Sequence, residues 1–413
     1  GFSAGRGATS GVYHNNVGIG YNALYSVNTA NKNTAVGAHA LYQIDKGVSS
    51  VAVGEIAGFY ATGSYNTFVG AEAGKGNSSA PYSSGTYNTA VGYQTLDAMT
   101  TGNTNTAVGS QAGSAVTTGY GNTYLGFRAG QAATTGYYNI GIGYNALSQQ
   151  ANGAGSQENI GIGSQALGYL TSGDYNVAIG YNAGDAISDS LGTVLIGTHA
   201  GTAINSTDAN YTVAIGYYAG ASITSGRYNT AIGHNALDAE DDGDGNTAVG
   251  YNALTAQTGT SGIVGNTAVG YNAGQSITSA VGNVAVGYNA VAGVTANGAC
   301  VGIGYEAGKF NQTGTGNVYI GYQAGLGSFE NSHSGNVGIG YYALRVVTTG
   351  AGNVVLGQYA GDSVTSGGDN VIIGNVAGAT MTSTTNTVLI GRSAGTAINS
   401  TDANGTVAIG YTA

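Results

Sequence analysis

The chain has 413 residues, only 7% of them charged, and a formal net charge of -10. Typical soluble domains carry about 25% charged residues, so this surface must rely on amides, hydroxyls and glycine. Nine scattered Lys and Arg form no basic stripe and no long apolar run occurs, which argues against a nucleic-acid partner and against membrane insertion.

In chain order, the first recognisable phrase begins at Asn16 and turns on Gly20. Its central glycine recurs as Gly37, Gly54 and Gly70 and onward to Gly391 and Gly410, giving 23 marker glycines. Fifteen of the 22 spacings are 17 residues and the rest run from 16 to 22. A short fixed period over hundreds of residues signals stacked repeats rather than a closed globular domain. A longer period overlies it, because the decapeptide at 201–210 returns unchanged at 395–404. The chain therefore reads as one continuous solenoid over 1–413, with super-repeats at about 16–204 and 212–398 and the start of a third at 406–413. Neither end resembles a polar cap, so an excerpt of a longer fibre or an end-to-end stacking unit is expected.

Within each period the marker is preceded by Val, Ile or Leu, and two residues earlier by Val, Thr or Ile, as in Val177-Ala178-Ile179-Gly180. That pattern predicts a short β-branched strand ended by a glycine that turns the chain. Three residues after the marker, Ala stands in 22 of 23 copies, with Thr95 the exception, which predicts a tightly packed site. Leu or Gly follows in nearly every copy, then a second apolar residue such as Val116, Ile187 or Ile277, then a Thr/Ser/Gly turn. The reading is one strand, a second weaker extended piece and two turns per period, with Val, Ile, Leu and Ala lining a continuous interior. Seventeen residues are too few for a strand with a crossover helix, so the predicted fold is all-β, a parallel β-solenoid or β-roll of about 23 coils.

Asn lies four residues before the marker in 17 copies, and Ser50, Thr193, Thr212, Cys300, Thr387 and Thr406 replace it in the others. Stacking would align these residues into a row bonded to backbone or to the next coil. The lone cysteine, Cys300, excludes an intrachain disulfide.

Tyr follows the marker in 12 copies, with Tyr144, Tyr181, Tyr217, Tyr251, Tyr271, Tyr288, Tyr305, Tyr322 and Tyr341 forming the main candidate ladder. Such rings can hold the fibre together by stacking or burial between subunits, the favoured reading, or offer a platform for glycans. Asp238, Glu240, Asp241, Asp242 and Asp244 form the one dense acidic cluster, a candidate Ca²⁺ loop weighed against a plain solvated loop, which is favoured. His39, His199 and His234 follow distant markers, and His14 and His333 stand alone, so no metal site is expected from them. No catalytic arrangement and no phosphate-binding fingerprint stands out, so no enzyme activity and no cofactor other than Ca²⁺ is expected.

Asn176-Val177-Ala178-Ile179-Gly180 resembles the head repeat of trimeric autotransporter adhesins, the YadA-like β-roll. The run from Gly245 to Leu254 is similar to repeats in bacteriophage tail-fibre shafts. The resemblance spans nearly the whole chain and implies homotrimers of side-by-side rolls that attach to surfaces. The period departs from the shorter one of autotransporter heads, and no neck, coiled-coil stalk, membrane anchor or self-cleaving chaperone domain is seen in the sequence.

The expected function is a non-enzymatic structural fibre, the shaft of a phage tail fibre or a similar extracellular filament that contacts a cell-surface glycan or other receptor. The alternative is a bacterial trimeric surface adhesin or a secreted filament whose subunits stack end to end. Loops at 76–85, 240–245, 259–265 and 326–335 are the candidate receptor contacts. An ice-binding face is disfavoured because the strand threonines give way to Ile140, Ile160 and Val177.

Overall fold

A computed structural model describes residues 4–5, 14–78, 82–150, 156–205, 209–258, 262–296, 298–329 and 332–413. Parts of three candidate receptor loops, at 79–81, 259–261 and 330–331, lie outside the described residues. The chain forms two compact units, Gly1–Tyr211 and Thr212–Ala413. The first unit stacks eleven three-residue strands from Val17–Ile19 to Val194–Ile196. The second stacks twelve from Val213–Ile215 to Val407–Ile409. Neighbouring strands within each unit pair in parallel, one coil to the next, so each unit is a parallel β-solenoid. Among the described residues there is no α-helix, and no helix long and apolar enough to cross a membrane.

Register ignores coil length. Thr67 pairs with Thr89 across the longest spacing, Ile140 with Ile160 and Thr247 with Thr267, as strictly as Val177 pairs with Val194. The marker glycines explain why. Gly287 has φ +131°, and a Cβ placed on it would stand 2.5 Å from the carbonyl oxygen of Gly304 in the next coil. Successive backbones approach too closely there for any side chain, in a conformation that L-residues avoid.

Two sequence expectations are corrected. The strand Val, Ile and Leu beside the marker do not line the interior. In strands such as Ile140–Ile142 and Val371–Ile373 only the central residue is buried, and its two flanks face outward. Alternation permits one inward side chain per three-residue strand, and the β-branched pair takes the outside. The second extended piece is also largely absent. The turn after each marker instead holds left-handed residues, such as Asn252 at φ 51° and Leu254 at φ 50°, which curl the chain. Among the described residues, extended pairing outside the main strands is confined to three isolated bridges and the short pair of Gly243–Asp244 with Gly262–Ile263.

The core is filled by a size rule. A bulky residue at a strand centre always shares its coil with glycine four residues after the marker: Phe68 with Gly74, Tyr124 with Gly130, Leu195 with Gly201, Tyr319 with Gly325 and Leu389 with Gly395. Where that turn position holds Leu, as in Leu41, Leu96, Leu147 and Leu254, the strand centre is Ala or Gly. Coils small at both positions lie beside filled ones. A Cβ on Gly58 would meet Leu41 at 2.7 Å from one side and Phe68 at 2.9 Å from the other. The cross-section at these two positions is therefore filled from the strand side or the turn side, and in coils small at both it is filled by the neighbouring coils. The turn leucines are left-handed, which costs roughly 1–2 kcal/mol, offset by roughly 1.5–3 kcal/mol from burying each side chain. The alanine three residues after the marker is fully buried in copies such as Ala40, Ala146 and Ala253.

The asparagine row forms a buried column. Asn105 N–H donates to Asn88 Oδ1 at 3.0 Å, and Asn105 Nδ2 donates to Gly119 O at 2.8 Å in the following coil. The pattern repeats through Asn122, Asn139, Asn159 and Asn176 in the first unit and from Asn336 through Asn353 to Asn370 in the second. Each amide satisfies backbone groups that would otherwise be buried without partners. Cys300 interrupts the column: its N–H still bonds Asn283 Oδ1 at 3.1 Å, but its sulfur meets Asn317 Nδ2 only at 3.8 Å.

Two predictions follow from this packing. Ala35→Phe should destabilise the first unit by overpacking, by about 1–3 kcal/mol, and Leu41→Gly by leaving a cavity, by about 2–5 kcal/mol. Combined, they recreate the Phe68–Gly74 arrangement, so denaturant titration of the double variant should show a favourable coupling of at least about 1 kcal/mol; simple additivity would refute the size rule. Cys300→Asn should raise the stability of the second unit by about 1 kcal/mol, measured by the same titration.

Candidate functional site

The residue after each marker starts the turn on the outside of the coil, so in-register stacking superposes these side chains. In the second unit this produces an unbroken column: Tyr217, His234, Tyr251, Tyr271, Tyr288, Tyr305, Tyr322 and Tyr341. From Tyr251 to Tyr322 the centroids are 5.0–5.2 Å apart and the planes within 9° of parallel. Both faces of an interior ring are covered by its neighbours, and the edges remain exposed. The Glu306 carboxylate beside Tyr305 and the hydroxyl of Tyr342 beside Tyr341 push those phenols up, the latter to about 12. Tyr144 and Tyr181 lie outside it, stacked on Phe127 at 5.6 Å and edge-on to His199 at 5.3 Å. In the first unit Ala38, Ala71, Ser110 and Ser164 break the same row.

The same rule builds a column that the sequence reading missed. Tyr25, Tyr42 and Phe59, each five residues after a marker, stack at 4.8 and 4.6 Å. The signal was present as aromatics at equal offsets in three consecutive periods. His39 packs against Tyr42 and Phe59, His234 sits within the tyrosine column, and His14 is exposed.

The acidic loop does not behave as one cluster. Carboxylate oxygens of Glu240, Asp241 and Asp242 lie within 4.8 Å of one another. Asp238 instead accepts from Thr255 Oγ1 at 2.6 Å, and Asp244 accepts from the Arg227 N–H at 2.8 Å and pairs with its guanidinium at 3.5 Å. Glu240 is wholly buried rather than solvated, accepting from Gly243 N at 2.7 Å, Asp241 N at 3.1 Å and Asn246 Nδ2 at 3.2 Å. Burial pushes its carboxyl above the usual range, against these backbone donors. A calcium ion takes six to eight oxygens; here three carboxylates converge and one of them already holds the loop together.

His333 is buried, not isolated. Its Nδ1 lies 2.8 Å from the hydroxyl of Tyr319, a strand-centre ring, and its Nε2 is buried without a partner. Desolvation lowers its pKa to about 4, so the imidazole is neutral at physiological pH.

The outward strand residues form a continuous aliphatic face on each unit. Val51, Val53, Leu125 and Ile179 in the first, and Ile232, Val269, Ile303 and Val354 in the second, are 36–45% exposed. No protein-family profile matches the chain, and no curated protein matches it.

The histidine gives a pH prediction. Its folded pKa lies below the unfolded value of about 6.5, so it binds a proton in the unfolded chain first. Stability is full above about pH 6.5 and falls as pH drops toward about 4, by about 3 kcal/mol. Denaturant midpoints at pH 7.5 and 4.5 should therefore diverge more in the wild type than in His333→Gln; an equal pH response in both would refute this.

Proposed function

We propose that this chain is a non-enzymatic structural fibre protein whose aliphatic sheet faces pack against other copies of itself, as a homotrimeric shaft of a phage tail fibre or a similar extracellular filament. One observation carries the reading: each unit presents a partly exposed Val, Ile or Leu beside the marker at every coil on one sheet face. Extended apolar patches of this kind mark interaction surfaces. The face repeats at the coil spacing, so a partner that covers it must carry matching periodicity, and a second and third copy do. The resemblance to tail-fibre and YadA-like repeats supports three copies and a role in attachment. The mechanical part is played by the backbone ladders, the buried amide column and the filled core, which together hold a stiff spacer for receptor-contacting features. The sparsely charged, amide- and hydroxyl-rich surface suits a glycan receptor.

Solution mass tests this. The chain should sediment as a discrete trimer, and Ile179→Lys with Val269→Lys should dissociate it while the β-sheet signal in circular dichroism persists. Open-ended polymers would favour an end-stacking filament, and a wild-type monomer would refute packing through this face.

A further inference from the structure

The tyrosine column offers only ring edges, but elsewhere on the second unit one ring presents an open face. Phe329 is 73% exposed, 5.3 Å from Phe310 and tilted 48° to it, at the rim of a groove of about 240 Å³. The sequence explains the hollow. At the equivalent places of successive coils stand Gln275-Ser276, Ala292-Gly293 and Lys309-Phe310, and the small middle pair leaves a gap between larger neighbours. A Cβ on Gly293 would lie 2.5 Å from the carbonyl oxygen of Lys309, so the backbone itself forms part of the floor. The walls carry Gln275, Asn289 and Gln312 amides and the Ser276 hydroxyl.

We propose that this groove binds a single neutral pyranose unit of a surface glycan, an inference that rests on the attachment role proposed above. An exposed aromatic face beside amides and a hydroxyl matches the two sides of a sugar ring, its apolar C–H face and its hydroxyl rim. Charge selects against anions. Lys309 Nζ is paired with Glu306 Oε1 at 2.7 Å and lies 4.8 Å from the Phe310 centroid, so the one cation at the groove is neutralised. The size fits one ring, since sites for drug-sized ligands run to about 300–1,000 Å³. Further sugars of the glycan would extend over the coil surface.

The test uses the full chain and a panel of neutral gluco-, galacto- and manno-configured oligosaccharides, with binding read by saturation-transfer NMR and calorimetry. Phe329→Ala should weaken binding roughly tenfold or more. Ala292→Gln, which fills the hollow with the side chain found one coil earlier, should abolish it while leaving Phe329 in place. Binding that survives both changes, or that is lost in Tyr271→Ala and kept in Phe329→Ala, overturns the groove, as does a wild type that binds none of the sugars. Light scattering on the same samples separates the two readings. A trimer that binds no sugar overturns the groove alone; a monomer that binds through Phe329 overturns the fibre alone.

Discussion

Everything in this molecule depends on how closely one coil approaches the next at the marker glycines. Within each unit a Cβ on a marker such as Gly20 or Gly216 would run into the carbonyl of the following marker, and the markers hold φ values of +130° to +142°. This approach leaves no room for a side chain between neighbouring coils. Strand register, the amide column and the ring column are then consequences of a single translation. The asparagine amides depend on it in particular, because each reaches the next coil with both its oxygen and its nitrogen. Hydrogen-bonded chains of this kind polarise one another in a low-dielectric interior, so the column becomes more than a set of separate turns.

Constant stacking also imposes a constant cross-section, and the core has adapted to it through volume rather than through residue identity. Where a coil places a large side chain at the strand centre or four residues after the marker, the opposite wall shrinks to Ala or Gly. The narrowness of that interior is what sends the β-branched strand residues outward. A globular protein would bury them; here the surplus apolar surface faces away from the coil and repeats along it. The property that makes the interior economical is thus the same one that leaves an adhesive face outside.

Much of this was legible in the sequence because stacking converts spacing directly into contact. The period, the strand, the glycine marker and the asparagine row could be read at fixed offsets, and Tyr251 to Tyr341 could be expected to align. Orientation was not legible. Val177-Ala178-Ile179 looks like an apolar strand with a weak centre, and only the small volume behind it shows that Ala178 is the inward residue. The Tyr319–His333 pair was hidden for another reason: the two lie 14 residues apart in a lengthened coil, and no periodic offset relates them. Glu240 looked like part of a solvated loop, but its partners are backbone N–H groups and Asn246, which no composition reveals. The Phe310–Phe329 groove depends on what is missing, the side chains of Ala292 and Gly293, and absences carry little signal in one sequence.

Strand pairing that takes no notice of coil length has a practical side. Spacings of 16 to 22 residues all deliver their strands to the same register, and the surplus is absorbed between the apolar turn and the next asparagine. The scaffold therefore works as a molecular ruler with blank labels. A foreign peptide spliced into any one of those junctions would leave the graduations unmoved, and several spliced into chosen rungs of one unit would be held in a set order, at multiples of about 4.8 Å.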